Sequence, residues 1–243
     1  MDNSQKIAEL QKMIDSTNRI CVFTGAGISV PSGIPDFRSA NGLYNEKTQG
    51  SYSPEQIISH SFFVSKTEMF YDFYKNKMLY PDAKPNDAHL YFAGLEKTGK
   101  KVTVITQNID GLHQAAGSTD VVELHGSVHR NYCMNCRRPY EMEYVYKSEG
   151  IPHCECGGII KPDVVLYEEP LDESSVMKAA ERISQAETLI IIGTSLVVYP
   201  AASYVRYFRG KNFVIINKST TSADSSADLA IYDDVENVVH SLK

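Results

Sequence analysis

Four short β-branched runs constrain the fold of this chain more than any other feature. They are Arg19–Thr24 (RICVFT), Val102–Gln107 (VTVITQ), Thr188–Ser195 (TLIIIGTS) and Phe213–Asn217 (FVIIN). Each is too short for a buried helix and too continuously apolar for a half-exposed strand. Helical or loop sequence separates them, as in a parallel sheet buried on both faces. Ile7, Leu10 and Ile14 fall at helical spacing, so an amphipathic helix opens the chain, and Ser174–Ala186 (SSVMKAAERISQA) reads as a crossover helix. Cys21, inside the first run, reads as a core residue. The runs end in Thr24-Gly25, Gln107-Asn108, Gly193-Thr194-Ser195 and Asn217-Lys218. Ligands of open α/β sheets bind beyond the carboxyl ends of the strands, so these polar and glycine-containing ends are expected to converge on a site.

One stretch breaks the pattern. Residues 126–162 carry four of the five cysteines and no long apolar run, as an insert stabilised by something other than a core. Cys133-x-x-Cys136 and Cys154-x-Cys156 are spaced for a tetrahedral Zn²⁺ site, with Gly157-Gly158 allowing the backbone to fold tightly around the metal. Two disulfides or free thiols are the alternatives. Four thiolates fill the coordination sphere, so such a zinc is structural, and His153 is not needed as a ligand. A nucleic-acid-binding zinc ribbon is the rival class. The net charge of −6, with no basic run longer than Lys100-Lys101 or Arg137-Arg138, weighs against it. No apolar run approaches the roughly 20 residues of a membrane span. The opening MDNSQKIAELQKMIDS lacks a signal-peptide core, which leads to the expectation of a cytoplasmic protein without membrane partners.

The glycine turn TGAGIS (Thr24–Ser29) permits close backbone approach to a phosphate, although an ordinary strand-to-helix turn has the same look. Its continuation SGIPDFRS (Ser32–Ser39) sets Asp36, Phe37 and Arg38 after a proline, a costly combination for mere scaffold. TQNIDGLH (Thr106–His113) brings Gln107, Asn108 and Asp110 to the second strand end. They can bond a ribose or an amide, or simply cap the strand. VVELHGSVH (Val121–His129) presents His125, one of seven histidines, before a glycine.

Taken together and in this order, GAGIS…SGIPDFRS, TQNIDGLH, ELHGS, the four-cysteine cluster and GTSLVVYP resemble the sirtuins, NAD-dependent protein-lysine deacylases, and in particular bacterial ones. The resemblance spans about Cys21 to Asn217. It implies an α/β chain with a Rossmann-like parallel sheet, helices on both faces and a small inserted zinc-binding module. The division would be 1–125 with 163–243 for NAD and 126–162 for zinc, and an acetylated-lysine protein or peptide would lie in the cleft between. No acidic residue follows the glycines at hydride-transfer spacing, in keeping with NAD consumed as co-substrate.

By the same resemblance Gly25, Ala26, Gly27 and Val30 would hold the pyrophosphate, and Asp36, Phe37, Arg38 and Tyr44 would close over the nicotinamide ribose. Gln107, Asn108, Ile109 and Asp110 would grip the ribose and carboxamide. Gly193, Thr194 and Ser195 would meet phosphate and ribose, with Asn217, Lys218 and Val235 near the adenosine. His125 would be the general base and Asn108 its companion in catalysis. Val164, Tyr167 and Val197 would line the substrate, which docks by β-augmentation. The usual small residue before the last Glu of that segment is replaced here, giving Tyr167-Glu168-Glu169. Tyr71 and Tyr74, with no arginine three residues after Tyr71, would leave a succinyl carboxylate unpartnered, hence an acetyl preference. An ADP-ribosyltransferase with the same NAD site and a non-catalytic NAD-sensing module are the other classes; a histidine base favours the deacylase.

Overall fold

The computed structural model of the chain describes residues 1–37, 39, 42, 43 and 52–243. Arg38 and Tyr44, both named above, lie outside the described residues. Strands and α-helices are numbered along the chain. The four apolar runs form β1 (Arg19–Thr24), β2 (Lys101–Thr106), β7 (Thr188–Ile192) and β8 (Asn212–Asn217). Two four-residue strands, β3 (Asp120–Glu123) and β9 (Leu229–Tyr232), extend the sheet to the order β3-β2-β1-β7-β8-β9, parallel throughout. This is the doubly wound arrangement in which the strand order reverses at one point, here between β1 and β7.

Alternate residues of the central strands serve opposite cores. Ile20, Val22, Ile190 and Ile192 meet α1 (Asn3–Asp15), α5 (Asp87–Lys97) and α9 (Val235–His240). Cys21, Phe23, Leu189 and Ile191 meet α8 (Glu173–Gln185) and the 3₁₀ segment Ala201–Tyr207. Burial on both sides explains why these strands read as unbroken apolar runs. β3 and β9 are edge strands with some half-buried positions, a pattern too weak to mark them in the sequence.

The second unit is a three-stranded antiparallel sheet, β5-β4-β6, from β4 (Gly126–Cys133), β5 (Pro139–Tyr140) and β6 (Ile160–Val164). A short helix, α7 (Met142–Lys147), buries Val145 beneath it. Its core is shared with helices from much earlier in the chain. α2 (Pro54–Ile57), α3 (His60–Ser65) and α4 (Thr67–Lys77) supply Ile57, Phe62, Phe63, Phe70, Tyr71 and Tyr74 to the cluster that holds Val128, Cys133 and Ile160. The β1-to-β2 crossover therefore leaves the large sheet, builds half of the small unit's core and returns through α5. No helix among the described residues is long and apolar enough to cross a membrane.

Candidate active site

The strand ends meet where the order reverses. The Gly25 N–H donates to Ile192 O at 3.0 Å, the Gly27 N–H to Gly193 O at 2.8 Å and the Gly193 N–H to Ile216 O at 3.2 Å, so the loops after β1 and β7 are laced to each other and to the end of β8. Packing requires the glycines. A Cβ on Gly25 would lie 2.7 Å from Thr194 Cβ, and one on Gly27 would lie 2.6 Å from Gly193 Cα. Gly193 adopts φ +60, and a Cβ there would lie 2.4 Å from Ile28 N. The fit between the two loops thus leaves no room for side chains, and bare backbone lines this end of the site. A 3₁₀ turn, Ala26–Ser32, follows the first loop.

A cleft of about 780 Å³ runs from these loops to β6. Gly25, Ala26, Gly27, Val30, Asp36 and Phe37 line it from the first loop, and Gln107, Asn108, Ile109 and Asp110 from the second. Gly193, Thr194, Ser195, Asn217, Lys218 and Val235 line it from the far half of the sheet, and His125, Val164 and Tyr167 from the small unit's side. Val197 is different. It is 52% exposed and off the wall, while Val198 and Tyr199 line the cleft. Leu196, at φ +54 with its side chain buried, turns the chain so that the next residue faces out. Tyr71 and Tyr74 are also off the wall. Both are fully buried in the small unit's core, with the Tyr71 hydroxyl donating to Ile160 O, so neither ring lines the cleft. Lys77, the last residue of α4, and Met78 after it do line it.

Within the cleft the polar groups are held by one another. His125 Nδ1 lies 2.8 Å from Gln107 O. A carbonyl only accepts, so Nδ1 carries the proton and Nε2 keeps its lone pair. Burial lowers the His125 pKa below the ordinary imidazole value, outweighing the bond to Gln107, which keeps the ring neutral near pH 7. The Asn108 amide donates to Gly25 O at 3.2 Å and to Ser29 Oγ at 3.1 Å, leaving Oδ1 as the acceptor it can offer a ligand. Ser29 Oγ passes its own hydrogen to Asp110 Oδ2 at 2.7 Å, and Leu112 N–H reaches Asp110 Oδ1 at 2.9 Å. Burial raises the Asp110 pKa, with those two donors acting against it. Gln107 Nε2 reaches Thr194 Oγ1 at 3.1 Å, tying the two halves of the sheet across the reversal point. Ser29 was not singled out from sequence; its signal was its place in the glycine motif beside two residues that were.

The peptide side is built just as firmly. Val165 N–H donates to His125 O, and Tyr167 exchanges bonds with Ile58 O and the His60 N–H. Lys161 Nζ, almost buried, reaches Val164 O and Glu169 Oε2, both at 3.2 Å. Glu168, at φ +75, turns its carboxylate back onto Ser61 N–H and Oγ.

The four cysteines of the small unit bring their Sγ atoms within 4.8 Å of one another, the closest pairs at 3.4 and 3.6 Å. Zinc–sulfur bonds of about 2.3 Å in a tetrahedron give S···S edges of about 3.8 Å, whereas a disulfide needs about 2.05 Å. The donor set and its spacing fit zinc, and no disulfide joins any of the five cysteines.

The sequence pattern of the Sir2 family matches residues 25–200. An NAD-dependent protein deacetylase of Clostridium perfringens is 58% identical over 236 residues, 96% of this chain and 97% of that protein. One from Clostridium acetobutylicum is 55% identical, with 98% of each chain covered. A solved structure of Sir2 with a deacetylated p53 peptide and 3'-O-acetyl-ADP-ribose superposes with a TM-score of 0.87 at 39% identity, covering 97% of this chain and 96% of that one. A complex of Sir2, p53 peptide and NAD+ gives 0.84, also at 39% identity, covering 96% of this chain and 95% of that one. On the match to most of its length and on relatives this similar, the chain belongs to the Sir2 family.

Proposed function

We propose that this protein is an NAD-dependent protein-lysine deacetylase that transfers the acetyl group to ADP-ribose and releases nicotinamide. The observation that carries the reading is His125. A neutral imidazole with its proton fixed on Nδ1 and its lone pair on Nε2 stands in the cleft that joins the glycine loop to Val164 and Tyr167. NAD supplies the electrophilic ribose carbon and the hydroxyls that take over the acyl group. The chain supplies position and proton transfer. Gly25–Gly27 and Gly193–Ser195 present bare backbone to the phosphates. Asn108 Oδ1 accepts from a ribose hydroxyl, and Asp110 with Ile109 holds the carboxamide. Phe37 shields the reacting centre from water. His125 Nε2 takes the hydroxyl proton, a step typically worth about 10²–10⁴-fold. The amide oxygen of acyl-lysine is a weak nucleophile, so most of its reactivity comes from being held in line.

The acetylated peptide lies as a strand between residues 164–167 and the Val198–Tyr199 loop, both on the cleft wall. Cys133, Cys136, Cys154 and Cys156 hold a structural zinc that does no chemistry. The part of the chain around that zinc, 126–162, is the module against which the NAD-binding remainder closes. Cysteines kept out of disulfides fit a cytoplasmic protein, a placement that cell fractionation checks. The deciding assay mixes protein, NAD and acetylated peptide. Nicotinamide and deacetylated peptide should appear together and only when both substrates are present. ADP-ribose joined to protein, with the acetyl group still on lysine, would instead make this a transferase of the other kind.

A further inference from the structure

β4 does not pair evenly with β6. Ser127 pairs with Asp163 and Asn131 with Pro162, so Val128, His129 and Arg130 bulge out of the ladder between them. The bulge is held stiffly. Asn131, 3% exposed, turns its amide nitrogen to Val128 O at 3.1 Å and to Tyr140 O at 3.2 Å, and Arg130 is tied to Glu123 and Asp163. Val128 packs into the small unit's core. His129 lies outside that core, on the cleft wall.

The bulge takes two carbonyls of the loop that follows β2. Val128 N–H donates to Ile109 O at 3.0 Å, and His129 Nε2 lies 2.9 Å from Asp110 O. A carbonyl only accepts, so Nε2 carries a hydrogen, and protonation of Nδ1 would leave that hydrogen in place. The ring is also pressed against Gly111, which has φ +72; a Cβ there would lie 2.7 Å from His129 Cδ2 and 2.8 Å from Nε2. The imidazole fits only because residue 111 has no side chain.

In a trans peptide the carbonyl and the N–H after it point opposite ways. Holding the Ile109 and Asp110 carbonyls on β4 therefore turns the Asp110 and Gly111 N–H groups away from β4 and fixes them there. The Asp110 carboxylate is held separately, by Ser29 Oγ and the Leu112 N–H. Asp110 is thus tied to the glycine loop through its side chain and to the small unit through its backbone.

We propose that His129 is a positioning residue of the co-substrate end of the cleft: from the bulge of β4 it clamps the Asp110 carbonyl and so sets the Ile109–Gly111 loop against a nicotinamide carboxamide. It acts through that loop, and it makes the grip on nicotinamide depend on the zinc-bearing unit while the peptide side is left alone. The inference rests on reading the cleft as the NAD site.

Three variants separate the hydrogen bond from the packing. His129→Phe keeps a ring over Gly111 and removes the donor. His129→Gln restores a donor at similar reach, and His129→Ala removes both ring and donor. His129→Phe should raise the KM for NAD, the calorimetric Kd for NAD and the inhibition constant of free nicotinamide about fivefold each, the worth of one hydrogen bond. The KM for acetyl peptide should stay within about twofold. His129→Gln should return all three nicotinamide-linked values to within about twofold of wild type, and His129→Ala should lose at least as much as His129→Phe. A His129→Phe protein with unchanged nicotinamide inhibition overturns the proposal, as do equal rises in the NAD and peptide KM values. A loss in His129→Ala that His129→Phe does not share also overturns it, since packing on Gly111 would then be the whole effect. If wild-type protein bound NAD but released no nicotinamide, the functional reading would fail, and the calorimetric comparison of wild type, His129→Phe and His129→Gln would still decide the role of His129. Absence of NAD binding to wild type would overturn both.

Discussion

His125 combines a fixed tautomer with a depressed pKa, and each property has a measurable result. His125→Ala should lower kcat for deacetylation by about 10²–10⁴-fold. NAD affinity, measured by calorimetry, should stay within a few-fold, because the backbone loops and Asn108 remain. Near-normal turnover would remove His125 from its role. The pH profile follows from burial. Burial disfavours the imidazolium, so the useful lone pair persists on the acid side of the usual value of about 6.5. kcat/KM for acetyl peptide should be flat at neutral pH and fall only below that value, about tenfold per unit. A fall beginning at pH 7 or above would contradict the buried, neutral ring. Gly193 offers a sharper test of geometry. Alanine there meets Ile28 N at 2.4 Å in a φ +60 backbone, a strain of about 1–3 kcal/mol before any displacement of the loop. Gly193→Ala should lower Tm and weaken NAD binding more than tenfold. Wild-type affinity would show that the loops can part without cost.

At the level of elements, the loops after β1 and β7 and the end of β8 are one object, because each bonds to the next. The small unit is another, and its stability has two sources. One is the shared core of α2–α4 with the three-stranded sheet; the other is the cysteine cluster at the sheet's end, where Cys133 and Cys154 are buried. The metal closes a chain segment that contributes little apolar surface of its own, so metal binding there is folding free energy. Freshly purified protein should hold one zinc per chain. A strong chelator, or Cys133→Ser or Cys156→Ser, should unfold the small sheet while the six-stranded sheet persists. The chain has no tryptophan, so near-ultraviolet circular dichroism reads its tyrosines, of which Tyr71, Tyr74, Tyr140 and Tyr144 belong to this unit. That signal should collapse with far-ultraviolet helix and strand content only partly reduced. Metal-free protein with full activity and an unchanged spectrum would refute it.

For the molecule as a whole, two buried histidines, His89 and His113, make stability depend on pH. In the unfolded chain both rings titrate near 6.5; in the folded protein they stay neutral down to about 4 and about 3. The unfolded state therefore takes up protons first as the medium is acidified. The contribution is complete above about pH 6.5 and is lost progressively as pH falls from there towards the folded values. At about pH 5 the loss is on the order of 2 kcal/mol for each ring. Urea midpoints of wild type should thus fall more between pH 7 and pH 5 than those of His113→Gln, which has one ring fewer to protonate on unfolding. Equal shifts would mean that His113 is accessible to protons in the fold. A second whole-molecule feature is Arg130, which bonds Glu123 of the large sheet and Asp163 of the small one. It is half exposed, so it sets the two units' relation more than it adds stability.

What sequence alone determined was everything that follows from a residue's immediate neighbours. Unbroken β-branched runs announced strands buried on both faces, and their polar ends announced where the cleft lies, because the rule linking them needs no coordinates. Cysteine spacing announced the metal cluster for a similar local reason. β3 and β9 escaped because edge strands of four residues are too short to carry a clear periodicity. Tertiary structure alone decided the rest. Tyr71 and Tyr74 look like pocket residues in sequence and are core residues in space, since only the packing of α4 on β6 says which face of that helix is inside. Val197 faces out because of one left-handed residue before it. Ser29, Asn86, His89 and His113 come from three separated segments, and what brings them together is hydrogen bonding and ring packing across the fold, which leave no mark in the order of residues.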